Sequence, residues 1–126
     1  MSISNNFSTA EEHLKHKRFA VAIPLYEKVA QYYLAKSDYP NYLYASNKLA
    51  ESHGSTMQIG TFMAITQKTY TLVEQHLTLA THASIIAETY SHYAGVFFYQ
   101  QQIDKAISYF EQSIAIIRQY QLNKDL

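Results

Sequence analysis

His13 and His16 stand three residues apart, a spacing that sets both imidazoles on one helix face and would supply two ligands to a metal ion. No cysteine or carboxylate is arranged to complete a tetrahedral set, and Glu12, adjacent to His13, is expected to point elsewhere on a helix. Both are read as surface histidines. His76, His82 and His92 fall near one predicted junction, where folding together would make a pH-responsive cluster. Glu11 and Glu12 fit the positive end of a helix dipole more simply than a general acid–base pair. The sequence has no glycine-rich phosphate loop, no serine-centred elbow and no HExxH pair. These residues argue against an enzyme, and no cofactor or metal is expected. The many tyrosines would stack on bases only beside a basic groove; they are read instead as walls of helix interfaces, with hydroxyls reaching the surface.

Composition sets the outer limits. A chain of 126 residues is one domain's worth. Ten Lys and Arg balance ten Asp and Glu, so no broad basic field exists for nucleic acid and no acidic one for a basic partner. Cysteine is absent, which removes disulfides and thiolate metal sites and fits a reducing compartment. The opening MSISNNFSTAEEH lacks a basic leader and an apolar core, and no apolar run approaches the roughly 18 residues of a membrane span. A soluble cytoplasmic protein, with no membrane partner, is the expectation.

The elements that must position any site are helices, because apolar residues recur at threes and fours rather than twos. The fold class expected is all-α. The capping box Ser8-Thr9-Ala10-Glu11 predicts a first helix to about His16, and a second follows over 19–36 with Pro24 distorting its early turns. Asp38 before Pro40 predicts a cap for a third helix over 40–58, which Gly60 breaks. A fourth spans 61–79, a fifth 82–99, and a sixth starts at Asp104 and ends near Tyr120. The helix pairs are therefore 8–36, 40–79 and 82–120, with a polar tail over 121–126.

The pairs repeat. Ala10, Gly54 and Ala94 align near the ends of the first helices; twelve residues on stand Ala22, Thr66 and Ala106, then Tyr26, Tyr70 and Phe110, then Val29, Val73 and Ser113. Small residues at these offsets let antiparallel helices approach closely while the aromatic fills the groove where the next pair docks. The third copy, Tyr90-x2-Tyr93-Ala94-x2-Phe97 followed by Ala106-x3-Phe110, resembles the tetratricopeptide repeat, whose signature is aromatic-x2-Leu-Gly-x2-Tyr, then Ala, then Phe. DKAISYFEQSIAI is close to that family's second-helix wording, and AIPLYEKVA at Ala22 to Ala30 is another form of it. Copy one lacks the first-helix aromatics, and copy two carries Thr66 for the usual alanine. Intervals of 44 and 40 residues between Ala22, Thr66 and Ala106 exceed the family's period of about 34 and are similar to the long repeats of cytoplasmic peptide-pheromone receptors of the Rap, NprR and PlcR group.

The resemblance implies three antiparallel helix pairs stacked as a right-handed superhelix. Its concave groove, lined by the first helix of each pair, would bind a peptide or protein partner. The groove residues it implies are Tyr44, Asn47, Lys48, Glu51 and Ser55 from the third helix, with Glu88, Ser91, Gly95, Phe98 and Tyr99 from the fifth. Asn47 carries the central expectation, since an amide can pair with both the N–H and the C=O of a peptide backbone. The extra helical region of the Rap branch and the DNA-binding domain of its relatives find no counterpart in the sequence, so the resemblance implies the repeat part alone or a shortened relative.

Repeat arrays usually close with a capping helix, and only about six polar residues follow Tyr120. Ile103, Ile107, Phe110, Ile114 and Ile117 share a three-four spacing on the sixth helix that one helix pair cannot bury. Self-association through that face as a two-fold dimer, or docking of a partner there, is expected. A structural assembly protein is accordingly the alternative to a peptide-binding module.

Overall fold

Five helix ends turn the chain in the same way, and none uses glycine. In this computed structural model, which describes residues 2–122, Lys17, Ser37, Met57, Gln101 and Gln121 all take positive φ, between 54° and 63°. In each case the next residue donates its N–H to the carbonyl five positions back: Arg18 to His13, Asp38 to Tyr33, Gln58 to His53, Gln102 to Phe97 and Leu122 to Ile117, at 2.8 to 3.0 Å. This is the Schellman closure, which satisfies helix-end carbonyls; a side chain in the left-handed region accepts a local strain that glycine would avoid. Where another helix follows, these turns leave only three residues between helices.

The elements are α1 (Ile3–Lys15), α2 (Phe19–Ala35), α3 (Tyr39–Ser55), α4 (Ile59–His76), α5 (Leu79–Tyr99) and α6 (Ile103–Gln119). No strand occurs among the described residues, so the all-α expectation holds. Several predicted ends move. Ser2, not Ser8, caps α1, its hydroxyl accepting from Asn5 N–H at 3.1 Å, and the supposed capping box lies inside the helix. Gly60 belongs to the first turn of α4, and Asp104 to the first turn of α6 behind the true cap position Gln102. Asp38 does cap α3, accepting from Asn41 N–H at 3.3 Å. The helix α2 continues through Pro24 to Ala35. Of the predicted tail, Gln121 and Leu122 form the last turn; 123–126 lie outside the described residues.

The fourth connection differs from the rest. Leu77 and Thr78 are extended, and α5 kinks at His82, whose φ of −139° and ψ of 43° leave the helical region. Beyond the kink, the stretch 83–99 has the same 17 residues as α2, α3 and α6. One turn has been added ahead of it. This corrects the repeat register: counted from the ends of α1, α3 and α5, the aligned small residues are Ala10, Ala50 and Ala94, all fully buried, at intervals of 40 and then 44. Gly54 stands one turn past the true position. Likewise Ala22, Phe62 and Ala106 are each the fourth residue of α2, α4 and α6, with Thr66 a turn later.

Each helix packs on the next in sequence, and α3 also packs on α5. Glu11 with Tyr44 links α1 to α3, and Tyr70 with Tyr109 links α4 to α6. Odd-numbered helices thus form one row and even-numbered helices another. Between the rows Tyr26, Val29, Leu43, Val73 and Val96 are almost completely buried, each large apolar side chain contributing about 1.5 to 3 kcal/mol. Phe62 of α4 enters between α3 and α5 because glycine faces it from both: a Cβ at Gly54 would lie 3.2 Å from its ring, and one at Gly95 3.3 Å. Towards α6, Tyr70 stacks on Tyr93 at 3.9 Å and Tyr109 on Phe97 at 5.5 Å, with Tyr90 and Tyr93 edge-on to Tyr109. The tyrosines do wall the helix interfaces.

Candidate functional site

Glu11 anchors one end of a polar line that crosses the row of odd-numbered helices. Its position on α1 brings Oε1 within 2.5 Å of the Tyr26 hydroxyl, while both oxygens accept from the Tyr44 hydroxyl at 3.0 and 2.9 Å. Burial, and then the bond to Glu11, raise the pKa of both phenols well above the usual tyrosine range. They stay protonated donors at neutral pH. One turn along α3 from Tyr44, the Lys48 ammonium lies 5.1 Å from the Tyr44 ring centre and donates to Glu88 Oε2 of α5 at 3.1 Å.

Past that pair the line opens into a cavity of about 370 Å³. Glu51 of α3 and Ser84, Glu88, Ser91 and His92 of α5 supply its polar walls, and Ala87, Ile117 and Leu122 an apolar one. The His92 ring stands edge-on to Phe62 at 5.8 Å, so burial lowers its pKa to about 4, assisted by Lys48 and opposed by Glu51. It is neutral at pH 7. Glu88 Oε1 and His92 Nδ1 are both buried with no partner among the described residues.

No family model, curated protein or solved structure matches the chain.

Of the residues expected in a groove, Tyr44, Lys48, Glu51, Glu88 and Ser91 come together along this line. Asn47 does not. It is buried between α3 and α5, where Nδ2 donates to Thr89 Oγ1 at 2.9 Å and to Ile85 O at 3.3 Å. With its donor committed to the fold, the amide cannot make the paired backbone contact expected of it. Gly95 abuts Phe62 and serves packing. Ser55 is exposed at the end of α3; Phe98 and Tyr99 are exposed at the end of α5, edge-on to one another, with Tyr99 also edge-on to Phe62. On α6, Ile103, Ile107, Phe110 and Ile114 are 40 to 49% exposed, whereas Ile117 is half-buried against the core.

The histidines part company. His76 stacks on Tyr39 at 3.7 Å, His82 bonds Thr81 at the kink and His92 packs on Phe62, so the predicted trio does not assemble. His16 pairs with Glu12 at 2.9 Å, four residues apart, correcting the expectation that Glu12 points elsewhere; His13 meets Arg18 at 3.2 Å. Among the described residues no group of three His, Asp or Glu could hold a metal ion. Sequence reasoning missed Glu11 and His92 as members of the site. Glu11 had a local explanation in the helix dipole, and its partner Tyr44 lies 33 residues away.

Proposed function

We propose that the chain is a non-catalytic binding module of the tetratricopeptide kind, whose odd-numbered helices present a surface for a peptide or protein segment. The observation that carries this is the continuous line Glu11–Tyr44–Lys48–Glu88 across α1, α3 and α5, ending in an open cavity walled by Glu51, Ser91 and His92. A core needs no such line; polar groups held at the edge of a cavity by three helices form a preorganised surface. The right-handed superhelix belongs to the same reading, as does a cytoplasmic location, for which the cysteine-free composition is the support. Binding here goes through side chains, because Asn47 is engaged within the fold. Selection of random peptides against the full chain, followed by competition with a Ser91→Trp variant that fills the cavity Ser91 lines, tests the reading: binders to the odd-helix face lose affinity by at least about tenfold. Binders indifferent to the variant contradict it.

A second reading is favoured by a specific observation on α6. Positions that the following pair covers in α2 are open there: Tyr26 is fully buried and Ala30 nearly so, but the equivalent Phe110 and Ile114 are 40% and 45% exposed. At the other end, α1 shows exposed Ser2, Ser4, Asn5, Ser8 and Glu12. A polar α1 end makes a poor head-to-tail cover for an apolar α6, so self-association would pair α6 with α6 about a two-fold axis.

A further inference from the structure

The cavity beside the Lys48–Glu88 pair holds more acceptor capacity than the chain uses. Lys48 engages Oε2 of Glu88 and leaves Oε1 buried and unmatched. His92 Nδ1 is buried and unmatched in the same wall, and with the ring proton on Nε2 it is an acceptor. Glu51 lines the cavity too and takes part in no ion pair among the described residues. Among the described residues around the cavity, α3 brings Lys48 and Glu51, α5 brings Glu88 and His92, and α6 brings the uncharged Ser113 and Ile117. Among the described residues, two carboxylates against one ammonium leave one negative charge uncompensated. Buried acceptors without donors are costly, so a donor-rich cation would gain at this place what the empty cavity forgoes.

We propose that this cavity receives the cationic head of a long basic side chain, lysine or arginine, carried by the segment that the odd-helix face binds; the inference rests on that binding-face reading. A bare metal ion fits poorly, because Glu51, Glu88 and His92 do not form a metal-holding group. An anion would meet two carboxylates. The apolar wall decides for a long side chain: Ala87, Ile117 and Leu122 offer a surface along which a methylene stem lies while its head reaches Glu51, Glu88 and His92. At about 370 Å³ the space falls at the small end of ligand clefts, roughly 300 to 1,000 Å³, which suits one side chain rather than a whole folded partner.

The test uses the full chain labelled with ¹⁵N and titrated with the N-acetyl amides of lysine, arginine, norleucine and glutamate. Lysine or arginine amide shifts the resonances of Glu51, Glu88, Ser91 and His92; which of the two binds more tightly separates an ammonium from a guanidinium site. Norleucine amide, which has the stem without the charge, and glutamate amide leave them unmoved. Glu51→Gln weakens the basic probe at least about tenfold without disturbing the fold, since Glu51 takes part in no ion pair among the described residues. Equal shifts with norleucine amide overturn the proposal, as does a Glu51→Gln variant that binds lysine and arginine amides unchanged. Peptide selection separates the pocket from the binding face. Face binders enriched in Lys or Arg support the pocket; face binders without a basic residue overturn the pocket but leave the binding face standing. Binders confined to other surfaces overturn both.

Discussion

Lys48 Nζ lies 3.1 Å from Glu88 Oε2, tying α3 to α5 across 40 residues of sequence, with the Tyr44 ring 5.1 Å from the same ammonium. Both side chains are mostly buried, so this pair escapes much of the screening that makes surface ion pairs weak. Removing Lys48 alone would leave Glu88 with neither oxygen paired. A double-mutant cycle with Lys48→Met and Glu88→Gln, read by urea denaturation, gives a coupling of about 1 kcal/mol. A coupling indistinguishable from zero removes the pair as a structural tie.

The three glycines separate packing from propensity. All lie within helices, where alanine is preferred by up to about 1 kcal/mol. A Cβ at Gly60 meets nothing within 4 Å, so Gly60→Ala raises stability by about 0.5 kcal/mol in thermal unfolding. Gly95→Ala must push back Phe62, which is itself buried beside Ala50 and Val96, and gains nothing or loses up to about 1 kcal/mol. Shortening the ring in a Gly95→Ala, Phe62→Leu double variant relieves the clash, seen as non-additivity in the favourable direction.

These glycines also show what was legible in the sequence. The periodicity of threes and fours revealed six helices, because burial along one stripe leaves a local trace in residue type. Helix ends left little trace, since Lys17, Ser37, Met57, Gln101 and Gln121 occupy left-handed positions that glycine usually marks. Gly54 looked like the repeat's small residue, yet it serves the Phe62 ring; Ala50 holds the repeat position, and the added turn at the start of α5 accounts for the longer second interval. Within the site, Lys48, Glu51 and Glu88 were legible by helical spacing once a repeat was supposed. Asn47 was not, because adjacent positions on α3 face different ways and only the docking of α5 settles which is covered.

His92 makes stability depend on acid. Its folded pKa of about 4 lies below the ordinary 6.5, so between those values the unfolded chain binds the extra proton. Stability is therefore full above pH 6.5 and falls as pH drops towards 4, by at most about 3 kcal/mol from this group. Urea midpoints measured across that range in the wild type and in His92→Gln check it: the variant has the shallower slope. Parallel slopes contradict the burial of a neutral imidazole.

The exposed stripe on α6 gives a further expected outcome. Ile107 and Ile114 are 49% and 45% exposed, and replacing both with Glu removes apolar surface without opening the core. Sedimentation velocity shows a dimer that the double variant converts to monomer. A wild-type chain that remains monomeric at high concentration rules out the two-fold pairing.

The odd-helix face is the surface proposed to bind a partner segment. NMR cross-saturation from a selected peptide to the full chain tests it most directly. Attenuation is expected at Tyr44, Lys48, Glu51, Glu88 and Ser91, which line one surface from α3 to α5. Attenuation confined to α6 or to the other even-numbered helices would contradict it.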